Sequence, residues 1–324
     1  MIRFLSFLLA MMLCIPVSAV ADDASFSILA TNFPAFDFAR AIAGSTAKID
    51  MLLPPGSESH SYEPTPQDII AIQNCDLFIY TGGESDSWIE SILASLGEEA
   101  PHSFVLADCV TLLTSEISAS MEHNHAHEHE GECTDPSHEH SPEDVDHHHE
   151  VDEHVWTSPK NALMITEALC TELCAVDPAN TATYIAAANA YQAELEKLDA
   201  AFEQIVAEGQ RDLLIFGDRF PFRYFAAAYG LRYDAAFPGC SEDSEPSVRT
   251  VISLIDTVRE QQLPVIFYIE FSSRRTADIL AEETGAKPLL FHSCHNVSYE
   301  EIESGATYLS LMWQNTEALK EALN

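Results

Sequence analysis

The side chains best equipped for chemistry in this 324-residue chain are its histidines. Nine of the fourteen crowd into HNHAHEHEGECTDPSHEHSPEDVDHHH, as His123, His125, His127, His129, His138, His140, His147, His148 and His149. Neutral imidazole is the commonest protein ligand for zinc and copper, so this tract can hold soft divalent metal near neutral pH. No Lys or Arg interrupts it, and Asp and Glu fill the gaps. A low-complexity acidic segment of this kind cannot bury an apolar core, and a mobile loop is expected over about residues 120–152.

Further candidates lie outside the tract. His60 sits in PPGSESHSYEPTPQD, a Pro-rich loop where a lone histidine is ordinarily solvated. His154 ends the tract in DEHVW, but Trp156 and the helix start Thr157-Ser158-Pro159-Lys160-Asn161 come after it and would fix its position. Asp218 in FGDRFPF, Glu270 at the end of VIFYIE, and His292 and His295 in FHSCHN each come just after an apolar run. Singly, each has an ordinary structural use. Asp218 can pair with Arg219 or Arg223, Glu270 with Arg274 or Arg275, and the two histidines can cap a turn. Their common place beyond strand-like runs raises them as ligands, because small ligands collect past the carboxyl ends of parallel strands.

The elements that must position these groups emerge from the apolar pattern. FSILATNF, AKIDMLLP, DLFIYTGG and SFVLADC read as buried strands. DLLIFGD, LRYDAAF, VIFYIEF and KPLLFH repeat the theme, with the helical stretches EPSVRTVISLIDTVREQQ and RRTADILAEETG between them. Strands alternating with helices predict an α/β fold made of two parallel-sheet lobes. Asp177-Pro178-Ala179-Asn180 then TATYIAAANAYQAELEKLDAAFEQIVAEG predict one helix of about 45 Å, long enough to be a strut between lobes. The expected division is a signal peptide over 1–21, a first lobe over 22–176, the linking helix over 177–209 and a second lobe over 210–324.

The ends and the charge limit the function classes. Met-Ile-Arg, the apolar FLSFLLAMMLCIPV and Ser18-Ala19-Val20-Ala21 form a secretory signal pattern with cleavage expected after Ala21. That run is shorter than the ~20 residues of a membrane-spanning helix. Met12 and Leu13 before Cys14 lack the small side chain of a lipoprotein site, so a soluble exported protein is expected, periplasmic or else associated with the cell surface. Lys and Arg number 15 against 52 Asp and Glu, a formal net charge of −37. Such an acidic chain repels nucleic acid and attracts cations. Export permits disulfides, and Cys240 with Cys294 is the leading expected pair, Cys75 with Cys109 the next. Cys170 and Cys174 are four apart on a helix, which suits neither a bridge nor a zinc knuckle, and Cys133 is the odd thiol.

GSESHSYEPTPQD resembles the first ligand loop of the metal-ion substrate-binding proteins of ABC importers, the zinc and manganese uptake cluster. DEHVWTSPKNA is similar to that family's second ligand segment, where a histidine precedes a Trp and a Pro-x-Asn helix start. FRYFAAAYGL resembles the aromatic segment after the third ligand, and TGAKPLL and SGATYLSLMWQNTEALKEAL resemble the terminal strand and helix. The likeness spans essentially the whole chain after the signal sequence. An acidic histidine-rich insertion before the second ligand is typical of the zinc-uptake branch.

The resemblance implies two lobes joined by a rigid helix, with one metal ion in the cleft between them. It carries His60 and His154 over as ligands. An ungapped match puts Arg219 at the third ligand position; Arg cannot coordinate a cation, and one inserted residue puts Asp218 there. Glu270, His292 or His295 would complete the shell. The function so implied is capture of Zn²⁺ and its delivery to a membrane ABC permease by a monomeric, non-enzymatic binding protein. Mn²⁺ or Fe²⁺ is the alternative cargo, and metal storage or zinc hydrolysis are more distant ones. No H-E-x-x-H motif of a hydrolase occurs.

Overall fold

A computed structural model describes residues 26–58, 62–115, 151–239 and 245–324. The signal-like segment, His60, the histidine tract with Cys133, and Cys240 lie outside the described residues.

Eight strands form two sheets of the same topology. In the first lobe β1 (Phe26–Ala30), β2 (Ala47–Met51), β3 (Leu77–Tyr80) and β4 (His102–Val105) stand in the order β2-β1-β3-β4. In the second, β5 (Leu213–Phe220), β6 (Arg232–Pro238), β7 (Val265–Tyr268) and β8 (Lys287–Leu290) stand in the order β6-β5-β7-β8. Every pairing is parallel. Each strand overlaps one of the eight apolar runs. The central runs SIL, LFI and VIF are continuous rather than alternating because helices cover both faces of a parallel sheet. At Gly217 that cover is tight: a Cβ there would come within 2.5 Å of the Ala277 Cα in the helix Arg275–Thr284.

In each sheet the strand order reverses between the two central strands, β1 and β3 or β5 and β7. A crevice opens beyond their carboxyl ends at such a switch point. The two crevices face each other across the lobes.

The linking helix, Thr181–Glu208, has 28 residues and is about 42 Å long. Asp177 ties down its entry, accepting from Asn180 Nδ2 at 2.7 Å and from the Tyr184 hydroxyl at 2.5 Å. The helix packs on Phe33–Ala43 from the first lobe, on Pro159–Val176, and on Tyr308–Leu323 from the second. One continuous apolar core therefore runs through both lobes, including Ile28 and Phe38 on one side and Phe216 and Phe291 on the other.

Polar ties reinforce that contact. Buried Asp37 accepts the Tyr308 N–H at 2.7 Å, and Arg40 donates to the Ala306 carbonyl at 2.7 Å. Asn296 Nδ2 donates to the carbonyls of Pro54 and Ser57 at 2.8 and 2.9 Å, and Gly56 N–H donates to the Val297 carbonyl at 2.8 Å. Lobes sharing a core and these bonds have little freedom to swing apart.

Cys75, Cys109, Cys170, Cys174 and Cys294 are free thiols. The expected Cys75–Cys109 bridge is thus not formed: Cys75 Sγ donates to the Ile72 carbonyl in its own helix end, and Cys109 Sγ to the Val105 carbonyl. Cys294 is fully buried as a thiol, and its expected partner Cys240 is outside the described residues. Among the described residues, no helix is long and apolar enough to cross a membrane.

Candidate metal centre

Short segments from both lobes meet where the two crevices face each other. Ser57 and Glu58 come from the loop after β2, and His154 from the segment before the Pro159–Val176 helix. Arg219, Glu270 and His295 lie at or just beyond the ends of strands of the second sheet.

His154 is held from every side. Its segment enters beside an isolated antiparallel bridge between Thr114 and Val151, which brings together the chain on the two sides of the histidine tract. Asp152 N–H donates to the Leu113 carbonyl at 2.9 Å, and the Tyr224 hydroxyl donates to the Asp152 carbonyl at 2.7 Å. Beyond it, the Thr157 hydroxyl donates to the His154 carbonyl at 2.8 Å, and the indole of fully buried Trp156 donates to the Ser293 carbonyl at 2.8 Å. The ring itself is directed by Asp152, whose Oδ1 accepts the His154 N–H at 2.9 Å and lies 3.0 Å from Nδ1. A proton on Nδ1 facing that carboxylate makes Nε2 the electron-pair donor of the ring, the arrangement that metal-binding histidines use. Burial opposes a charged ring here. The charge and hydrogen bond of Asp152, with the charges of Glu153 and Glu270, outweigh it and hold the His154 pKa above the ordinary histidine value.

His295 reaches the cleft because the chain after β8 turns sharply. Phe291, packed against Phe222 and Phe267 with centroids 4.9 and 5.0 Å apart, anchors the start of the turn. Cys294 then adopts φ +60°, a left-handed conformation that costs a non-glycine residue about 1 kcal/mol or more and redirects the chain into His295. The His295 ring meets the His154 ring edge-on, with centroids 5.4 Å apart and planes at 88°, and lies 4.8 Å from the Trp156 ring.

Glu270 clamps this turn. Its carboxylate accepts Ser293 N–H at 2.8 Å, the Ser293 hydroxyl at 2.5 Å and His295 N–H at 3.3 Å. It lines the cleft while holding the His295 backbone.

His292 and Asp218 are placed differently from the expectation. His292 is buried behind the turn: Nδ1 accepts Cys294 N–H at 2.9 Å, and Nε2 lies 3.7 Å from Glu301 Oε1. Burial disfavours its charge, but Glu270 and Glu301 raise its pKa; the contact with His292, foremost, holds Glu301 down to about 2. Nδ1 is taken up within the second lobe and Nε2 faces Glu301, and the ring does not line the cleft. Asp218 points away too. Oδ1 accepts Arg219 N–H at 2.8 Å and Oδ2 accepts Ile269 N–H at 3.2 Å, tying β5 to the end of β7. Burial pushes its carboxyl pKa up. The register of β5 against β6 shifts between Phe216 and Arg219, a bulge that re-aims side chains, and the residue on the cleft wall is Arg219.

The structure thus brings His154, His295 and Glu270 to one cleft and leaves His292 and Asp218 behind it. Among the described residues, no three His, Cys, Asp or Glu side chains converge closely enough to hold an ion by themselves. Ser57 and Glu58, just before His60, line the same cleft. Asp152 is the functional group that sequence reasoning missed. Its signal, an acid two residues before the histidine, is hidden among the tract's many acids.

A family model described as zinc-uptake complex component A, periplasmic, matches residues 28–322. The high-affinity zinc uptake system protein ZnuA of Bacillus subtilis is 31% identical over 306 residues, covering 94% of this chain and 90% of its own. Zinc-binding lipoprotein AdcA of Streptococcus pneumoniae is 29% identical over 299 residues; this chain spans only 56% of that longer relative. Among solved structures, the Zn(II)-bound ZnuA-like domain of that AdcA superposes with TM-score 0.73 at 26% identity, over 92% of this chain and 99% of the domain. The metal-dependent lipoprotein YcdH of Bacillus subtilis superposes with TM-score 0.74 at 28% identity, over 92% and 99%.

Proposed function

The chain belongs to the periplasmic zinc-uptake component A family, and we propose from this premise that it is an exported solute-binding protein that captures Zn²⁺ for an ABC permease. The observation that carries the reading is the pair of imidazoles at the interlobe cleft, one of them fixed by Asp152 with Nε2 as its donor atom. His60, from the loop whose Ser57 and Glu58 line the cleft, supplies the third donor, and Glu270 or solvent the fourth. Imidazole-rich tetrahedral shells suit zinc. Mn²⁺ and Fe²⁺ favour harder oxygen donors, and a cleft that presents two imidazoles and is not lined by Asp218 suits them less than zinc. Storage and hydrolysis are not favoured, since the matched relatives are named for zinc binding and zinc uptake.

Delivery is explained by the same geometry. An ion held between lobes at the mouth of two crevices is accessible to a membrane partner docking across both. The histidine tract, spliced in beside His154 at the Thr114–Val151 bridge, serves as a collecting antenna that raises local zinc next to the cleft. The protein acts as a monomer at the periplasmic or outer cell surface.

Zinc titration against a competing chelator tests the reading. The full chain is expected to bind one ion far more tightly than any others, and His154→Ala or His295→Ala to lose that ion. Retention of the tight ion in both variants would remove the cleft as its site.

A further inference from the structure

We propose that Arg219 sets the affinity of the cleft: it is a cation built into the cleft wall that opposes the cargo ion and is held in check by Glu58. The inference rests on the reading of the cleft as a metal-binding site.

Arg219 lines the same cleft as His154, Glu270 and His295. A guanidinium is permanently protonated and has no lone pair to offer, so it can only repel a divalent ion. The chain therefore sets one fixed positive charge among its donors. It is not there by default of packing: the bulge in β5 turns Asp218 inward to the Ile269 N–H and leaves Arg219 on the wall.

The charge is also paired across the lobes. Arg219 Nη1 lies 3.2 Å from Glu58 Oε1 and Nη2 3.3 Å from Oε2, a two-pronged contact. Glu58 belongs to the first lobe, on a loop pinned to the second by the Asn296 bonds to Pro54 and Ser57. The Arg219 side chain is 19% exposed and that of Glu58 38%, so the pair sits at the rim, open to an arriving ion.

Before loading, the Glu58 carboxylate is engaged by Arg219. A divalent ion entering the cleft offers Glu58 a more highly charged partner and drives the guanidinium back towards solvent. Release reverses the exchange, with Glu58 returning to Arg219. Imidazoles select the ion, while Arg219 determines how long it is kept. A binding protein that must surrender its cargo gains from such a competitor, because affinity lost this way appears chiefly as faster dissociation.

Equilibrium zinc affinity and zinc dissociation rate, measured with a chelator on the full chain, test this. Arg219→Gln should bind zinc about tenfold or more tightly, with slower release, since one repelling charge is gone. Arg219→Met, which keeps the packed stem, should move the same way, and Arg219→Lys, which keeps the charge, should bind more weakly than either. Glu58→Gln should weaken binding by leaving Arg219 unopposed. Unchanged or weaker zinc binding in the folded Arg219→Gln and Arg219→Met proteins overturns the inference while leaving the zinc site standing. Absence of zinc binding by the unmodified chain overturns both.

Discussion

His154 Nδ1 stands 3.0 Å from Asp152 Oδ1, both groups buried, so the direction of the ring is set before any ion arrives. Pre-organisation of this kind lets a site bind without first ordering its ligands, and it makes Asp152 as much a part of the site as the histidine.

Asp152→Ala should therefore weaken zinc binding about 10- to 100-fold although Asp152 touches no ion. Chelator competition reads the loss. An unchanged affinity would show that packing by Trp156 and Thr157 alone orients the ring.

The raised His154 pKa gives two pH effects of opposite sign. A histidine whose pKa is higher folded than unfolded adds stability to the ion-free protein below its unfolded value, lost as pH rises through the folded value. Protons also compete with zinc at Nε2, so zinc affinity falls as pH drops through the same range. The stabilisation that zinc adds to the melting temperature should be larger at about pH 8 than at about pH 6. Equal zinc-induced shifts at both values would count against histidine ligation.

Glu270→Ala should destabilise the fold by roughly 2 kcal/mol, because it leaves the N–H and hydroxyl of buried Ser293 without their acceptor. It should also cost zinc affinity, since His295 loses its clamp. Denaturant unfolding with a parallel zinc titration separates the two effects. Full zinc affinity in a protein so weakened would assign Glu270 to the scaffold alone.

Trp156 lies 4.8 Å from the His295 ring and 5.4 Å from that of His154. Zinc at the cleft should change its emission, and Trp156→Phe should abolish the change. A zinc response carried wholly by Trp88 or Trp313 would place binding elsewhere.

The architecture is legible in the chain, since short continuous runs such as SIL, LFI and VIF alternating with helical stretches fit strands buried in parallel sheets, and Pro178 and Gly209 bracket the linking helix. Much of the site is not. His292 and His295 read alike as candidate ligands, because which of the two faces the cleft depends on the left-handed Cys294, which no spacing rule reveals. Asp218 reads as a ligand because a bulge that swaps the faces of adjacent residues leaves no mark in FGDRFPF. Asp152 is lost in the acid-rich tract, where an orienting carboxylate and a solvated one read alike.

Zinc-edge anomalous diffraction from crystals of the protein lacking residues 120–149 tests the central claim most directly. One strong peak is expected in the interlobe cleft, about 2.0–2.1 Å from His154 Nε2 and bonded also to His295. Crystals that take up no zinc at the cleft, while the full-length protein still binds one ion tightly, would make the histidine tract the principal site and contradict it.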